Sequence, residues 1–326
     1  MVGDFVLDEF VSGEISRVSR EAPVLILRHR RTETYPGGAA NAVANLAELG
    51  ARVLPVGVVG DDEAGRALIE HFRRKRVAVS AIARVRGWTT TTKTRYLAGW
   101  THTTEQQVLR VDREARGKVP RRIQALIERN ARRAAARAGT VLVSDYGLGT
   151  VTPTLVGKLG AKIMTLDSRY GLLGFRGAGV TAATPNEPEL EAAYQTRVGT
   201  DTRKLEELGG RALAELGLAA LMVTRGKDGL AVFERAGQGA GGGASRNQAI
   251  VRHIPIYGSD TPVDVTGAGD TVIAVFTLAL AAGATYLEAA HLANYAGGIV
   301  VMKRRTATLT RSDLEAALRQ EATAKS

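Results

Sequence analysis

Apolar runs rich in β-branched residues alternate along this chain with segments whose hydrophobic positions recur every 3.6 residues. Residues 52–59 precede a helical pattern over 64–76, 140–144 precede one over 153–160, 161–166 form a further apolar run, and 219–224 follow a helical pattern over 203–217. Alternation of this kind predicts βαβ units around a parallel sheet. In such sheets ligands sit at the C-terminal edge of the strands. Gly3-Asp4, Ser144-Asp145, Asp167 and Thr224-Arg225-Gly226 all fall at predicted strand ends.

Two regions break the rhythm. Residues 10–36 and 89–112 are rich in β formers and read as extended segments. Inserted between early βα units, they predict a small sheet that would act as a lid beside the main domain. Residues 237–244, with five glycines in eight, read as a surface insertion. The whole predicts one domain over 1–320 with a frayed tail at 321–326.

A chain of 326 residues, 44% hydrophobic, can bury one large α/β core. It has no cysteine, which excludes disulfides and thiolate metal sites, and five scattered histidines make a poor zinc site. The apolar run 272–283 is too short to span a bilayer, and Asp4, Asp8 and Glu9 replace the basic start of a signal peptide. The expectation is a cytoplasmic protein with no membrane partner. Formal charge is +11, and eight basic residues fall within 116–137. That run lacks aromatics for base stacking, and Ile123, Leu126 and Ile127 make it a plain amphipathic helix with solvated arginines, so a nucleic-acid partner is disfavoured.

The sharpest chemical signal is Asp264-Val-Thr-Gly-Ala-Gly-Asp270, followed at once by an apolar helical stretch. Glycines before a helix leave backbone N–H groups free at the positive end of its dipole, where a transferring phosphoryl group can be held. Gly267, Ala268 and Gly269 are thus candidates for an anion hole, and Asp270 for the base that accepts a hydroxyl proton. The ordinary alternative is an N-cap aspartate after a glycine turn. A second cluster, Tyr35-Pro-Gly-Gly-Ala-Ala-Asn41, opens another helix; Gly37 and Gly38 permit close approach of a ligand, and Asn41 can bond hydroxyls. No G-x-x-x-x-G-K-[ST] occurs, so the phosphate grip is not a P-loop.

Together these residues resemble the ribokinase/PfkB carbohydrate kinases, through the Gly-Gly-x-x-x-Asn stretch and Asp-x-x-Gly-Ala-Gly-Asp. The similarity is closest to the D-glycero-β-D-manno-heptose-7-phosphate kinases, through Gly3-Asp-x-x-Leu-Asp8, Ser16-Arg-Val-Ser-x-Glu-Ala-Pro23, Thr92-Lys-x-Arg95, Gln106-Gln-x-x-Arg-x-Asp112, Ser144-Asp-Tyr146 and Thr184-Pro-Asn-x-x-Glu189. The resemblance implies a three-layer α/β/α fold with a mainly parallel central sheet and a small β-sheet lid. It also implies transfer of the ATP γ-phosphate to the anomeric hydroxyl of the heptose 7-phosphate. Asp8, Gly37, Gly38, Asn41 and Asp145 would hold the sugar, with Lys93, Arg95, Arg110 and Arg17 available for its phosphate. A solvated strand face is the ordinary alternative for Lys93 and Arg95. Asn186 and Glu189 would serve the nucleotide, Glu189 reaching Mg²⁺ through water, although Glu189 also suits a first helical turn. Thr224, Gly226, Gly229 and Asn294 would line the adenosine pocket. K⁺ near the stretch before Asp270, and a homodimer through the lid, are further implications.

Several positions depart from the pattern. Only Met1 and Val2 precede Gly3-Asp4, which implies either a truncated start or a short first strand; Arg305 stands where relatives carry glycine; Ser168-Arg-Tyr replaces Pro-Lys-Gly after Asp167. With no nucleotidyltransferase-like stretch after 320, ADP-heptose synthesis would need a separate adenylyltransferase. Two other readings stay open: a kinase for another sugar or sugar phosphate, and a basic nucleic-acid-binding or regulatory protein on a kinase scaffold.

Overall fold

The computed structural model describes residues 1–100, 104–115, 119–235 and 249–324. Its strands are β1 (Val2–Gly3), β2 (Phe5–Val18), β3 (Leu25–Gly38), β4 (Gly57–Gly60), β5 (Ile82–Val85), β6 (Thr91–Gly99), β7 (Gln106–Arg113), β8 (Thr140–Asp145), β9 (Ile163–Ser168), β10 (Ala182–Ala183), β11 (Ala220–Thr224), β12 (Leu230–Arg235) and β13 (Ala249–Ile254). The helices are α1 (Ala39–Glu48), α2 (Glu63–Arg74), α3 (Arg121–Ala135), α4 (Pro153–Val156), α5 (Glu187–Tyr194), α6 (Thr202–Leu216), α7 (Ala268–Ala281), α8 (Tyr286–Val300) and α9 (Arg311–Ala324).

The central sheet has seven strands in the order β1-β8-β9-β10-β11-β12-β13. Pairing is parallel from β1 to β11 and antiparallel at the β12 and β13 edge. Alternate residues feed opposite layers, as the two-residue strand period requires. On β8, Val141 and Val143 join the core under α3, α4 and α6, while Leu142 joins the one under α1 and α7. Leu221 and Val223 of β11 face the first layer, and Ala220 and Met222 pack with α7 and α8. Helix α7 is apolar nearly all round because it is buried between sheet and helices; fully burying a side chain such as Phe276 contributes roughly 1.5–3 kcal/mol. The arrangement is a mixed three-layer α/β/α fold with a mainly parallel sheet.

The two irregular regions form a separate four-stranded sheet, β3-β2-β6-β7. It reaches further inward than the expected bounds. β2 pairs with β3 on one side and β6 on the other from Val6 onward, so its inner backbone groups are satisfied by strand ladders and not by turns. Strand β1 has two residues, joined to β8 and, by one bridge, to Val56. The helix expected over 153–160 is confined to Pro153–Val156, with Gly160 in the left-handed region after it. Helix α9 continues through Ala324, over a stretch rich in good helix formers. Helix α3 buries Ile127, Ala131 and Ala135 and turns Arg121, Arg122, Arg129, Arg132 and Arg133 to solvent. The glycine-rich 237–244 stretch and residues 116–118 lie outside the described residues.

Candidate active site

The strand ends converge on one cavity of about 650 Å³. Asp8 and Lys93 come to it from the four-stranded sheet, Asp145 and Tyr146 from the end of β8, Asp167 and Arg169 from β9, Thr184 and Asn186 from the turn after β10, and Asp270 from the first turn of α7. A smaller apolar cavity of about 220 Å³ adjoins it, sharing Thr224, Val265, Gly269 and Val272, and adds Gly226, Gly229, Ala268 and Asn294.

Helix α7 begins because Gly267 adopts φ 78°, a conformation that releases the following amides toward the cavity. Ala268 donates its amide to Val265 O and Thr271 donates to Gly267 O. The amides of Gly269 and Asp270 meet no acceptor among the described residues, which leaves them for an anion. Ala268 is therefore corrected: its amide is already committed within the turn, and the residue faces the apolar cavity.

Asp270 is buried, and its carboxylate is held at both oxygens. The Tyr146 hydroxyl donates to Oδ1 at 2.8 Å and Asn41 Nδ2 donates to Oδ2 at 3.3 Å. Burial pushes its pKa up to about 7; the Tyr146 and Asn41 hydrogen bonds oppose that rise, Asp8 adds to it and Lys93 opposes it. Asn41 also donates to Gly267 O and accepts from Asn45 at 3.0 Å. Through these bonds Asn41 orients Asp270 and the glycine turn.

Asp8 is buried and fixed: Arg95 pairs with Oδ1 at 2.6 Å and the Thr306 hydroxyl donates to Oδ2 at 3.0 Å. Arg95 is therefore not a solvated strand residue, and its charge is matched within the protein. Gly37 is required beside it, since a Cβ there would stand 2.4 Å from Asp8 Oδ2. Lys93 is half-buried over the Tyr146 ring, 5.3 Å from its centroid, and burial, then Arg169, lowers its pKa. Arg110 lines the cavity while forking onto Asp112. Arg17 does not join them. It sits on the exposed outer end of β2, nine residues past Asp8, about 30 Å along an extended strand.

Asn186 and Glu189 form a capping box at the start of α5, Asn186 Oδ1 accepting from Glu189 N at 2.8 Å and Glu189 Oε2 from Asn186 N at 2.9 Å. The helix-start reading is thus correct, and both residues line the cavity as well. Asp167 carries a pKa raised well above the carboxylate range by burial and then by Glu189, Asp270 and Asp145. Asn294 donates to Pro255 O at 2.8 Å beside the apolar cavity.

A family model for the pfkB family carbohydrate kinases matches residues 5–119 and 171–313. The chain belongs to the pfkB family of carbohydrate kinases. It is accordingly a carbohydrate kinase. The bifunctional protein HldE of Geobacter metallireducens is 38% identical over 319 residues, covering 96% of this chain and 61% of that protein. The chain thus spans about three-fifths of the length of the curated relatives it matches. These relatives are named as bifunctional, so the expectation of a separate adenylyltransferase finds no support in them. Two solved pfkB-like folds match nearly end to end: Arabidopsis thaliana ribokinase complexed with ribose and ATP (19% identity, TM-score 0.71, 98% and 97% of the two chains), and Escherichia coli phosphofructokinase-2 in complex with potassium (16%, 0.75, 98% and 97%).

Sequence reasoning missed three site residues of this pfkB kinase. Tyr146 was available only as the third residue of Ser144-Asp-Tyr146. Arg169 was visible only as a departure after Asp167. Thr306 was visible only as the residue after the departure at Arg305, and its bond to Asp8 joins positions 298 residues apart. Among the described residues no helix is long and apolar enough to cross a membrane.

Proposed function

We propose that this chain transfers the γ-phosphoryl group of ATP to the anomeric hydroxyl of D-glycero-D-manno-heptose 7-phosphate, giving the 1,7-bisphosphate used for ADP-heptose and lipopolysaccharide-core synthesis. The observation that carries the reading is one cavity holding a buried carboxylate with raised pKa, free helix-start amides, and the cations Lys93, Arg110 and Arg169. A phosphorylated sugar needs those cations, because a dianion buried without partners is prohibitively costly. The resemblance to heptose-phosphate kinases, and the similarity to the HldE proteins, support the sugar.

In this mechanism Asp8 and Asp145 bind sugar hydroxyls, and Lys93, Arg110 and Arg169 bind the 7-phosphate. Asp270, ionised, accepts the anomeric hydroxyl proton as that oxygen attacks the γ-phosphorus and ADP departs; the Gly269 and Asp270 amides stabilise the charge on the transferring group. The apolar cavity with Gly226, Gly229 and Asn294 takes the adenine ring. Among the described residues no three metal-ligating side chains group as a ready metal site; a divalent ion would arrive with the nucleotide phosphates and meet Asp167 and Glu189, which line the cavity. Mg²⁺ there would neutralise phosphate charge, with Glu189 reaching it through water. Potassium near residues 264–266 is part of the same reading. Exposed Val18, Leu25, Val108, Leu109 and Val111 on the four-stranded sheet support a homodimer through it, measurable as molecular mass in solution.

The test is coupled ADP release with Mg-ATP, with and without K⁺, on D-glycero-D-manno-heptose 7-phosphate, sedoheptulose 7-phosphate, fructose 6-phosphate, ribose and fructose. Selective turnover of the manno-heptose phosphate supports the reading; turnover of another sugar alone keeps the kinase and removes the heptose.

A further inference from the structure

Arg305 holds a left-handed backbone, φ 66°, which an L residue with a long side chain adopts at a cost. What it does there links two parts of the site. Its backbone N–H donates to Asp264 Oδ2 at 2.8 Å, and Asp264 Oδ1 accepts from Thr266 N at 2.9 Å, so Arg305 braces the turn that precedes Gly267. Its side chain, 13% exposed, leaves that turn and crosses to the four-stranded sheet. There it pairs with Glu33 of β3, lies 3.6 Å from Glu105, meets the buried Ser12 Oγ of β2 at 3.4 Å, and stacks over Phe10 at 5.7 Å. Arg95, the partner of Asp8, lies over the same Phe10 ring at 5.3 Å. The next residue, Thr306, bonds Asp8, and its methyl stands 3.0 Å from where a Gly267 Cβ would lie.

Glycine would satisfy the backbone at 305 without strain. A half-buried guanidinium kept at that φ, with Glu33 and Ser12 of the facing sheet and Glu105 just before β7 around it, therefore has a task there. We propose that Arg305 is a positioning residue: it fastens the four-stranded sheet to the Asp264–Asp270 turn and thereby sets Asp8, the sugar carboxylate, at its working distance from Asp270. This rests on the sugar-kinase reading of the cavity. Unfastened, the sheet keeps its own ladders but loses its register over the turn, so sugar binding suffers and nucleotide binding, on the other side of the turn, does not.

The experiment compares Arg305→Gly, Glu33→Gln and the double variant with the unmodified chain. Arg305→Gly relieves the backbone strain, so it should fold. We expect KM for the sugar substrate to rise on the order of tenfold with KM for ATP unchanged, Glu33→Gln to give a similar rise, and the double variant to add little to either. Hydrogen–deuterium exchange should rise in peptides covering 5–18 and 25–38 and stay constant in α8. Additive effects, or equal changes in both KM values, would overturn the proposal. Should no sugar be turned over by the unmodified chain, the functional reading fails, and exchange still decides the fastening: unchanged protection of 5–18 and 25–38 in Arg305→Gly removes it.

Discussion

The Tyr146 hydroxyl donates to Asp270 Oδ1 at 2.8 Å, and the carboxylate is buried. Their pKa values rise together: burial, then the Asp270 charge, pushes the phenol well above its ordinary value, so Tyr146 stays protonated and remains a donor. Each such bond favours the ionised carboxylate. In Tyr146→Phe the Asp270 pKa should climb further above about 7, and the acidic limb of the kcat/KM profile should move to higher pH by about one unit, equivalent to roughly 1.4 kcal/mol. A pH–rate profile measured from 5.5 to 9 checks it; an unmoved limb removes Tyr146 from the tuning of Asp270.

Asp270→Asn should leave ATP binding nearly intact and lower kcat by about 10²- to 10⁴-fold, the usual worth of a positioned base. The same variant should be more stable at alkaline pH. Because the folded pKa is raised, the folded chain binds a proton more tightly than the unfolded one between the ordinary carboxylate value and about 7. Stability therefore falls as pH rises through that window, and the buried charge is a cost above it. Asparagine removes that cost, so the variant's melting temperature should exceed that of the parent at pH 8, and the gap should narrow through pH 5 and close near the ordinary carboxylate value. Near-parental turnover would remove the base assignment.

Lys93 and Arg110 separate by partner. Lys93 lies over Tyr146 with no ion pair among the described residues, whereas Arg110 is forked onto Asp112. Lys93→Ala should raise KM for a phosphorylated sugar more than Arg110→Ala does, and both should leave an unphosphorylated analogue little affected. Equal effects on the two sugars would place the 7-phosphate elsewhere.

What the chain order revealed, and what it hid, follows from the range of each interaction. The central strands and the turn before α7 are local patterns, and the periodicity of residues 140–144 and 219–224 and the glycines at 267 and 269 display them directly. The partners of those residues are not local. Asn41 reaches Asp270 across 229 positions and Thr306 reaches Asp8 across 298, and neither pairing leaves a periodic trace. Arg95 stood as a phosphate ligand or a solvated strand cation because its pairing with Asp8 depends on the neighbouring β2, and Arg17 looked available because linear motifs carry no distance. Glu189 is both helix cap and cavity wall, and its capping pattern alone gave only the first.

Gly37 and Gly50 make a last, dissociable prediction. At Gly37 a Cβ would lie 2.4 Å from Asp8 Oδ2 and 2.7 Å from Asp8 Cγ, so alanine must displace the carboxylate that Arg95 and Thr306 hold. Overpacking of that kind typically costs about 1–3 kcal/mol, and here the displaced group belongs to the sugar site. Gly50, after α1, has φ 87° and nothing within 4 Å of where a Cβ would stand, so alanine there meets backbone strain alone, roughly 1–2 kcal/mol. Gly37→Ala and Gly50→Ala should therefore lower the melting temperature by similar amounts, yet only Gly37→Ala should raise KM for the sugar. Thermal denaturation beside steady-state kinetics distinguishes the two costs; a normal sugar KM in Gly37→Ala would mean that Asp8 does not need its present position to bind substrate.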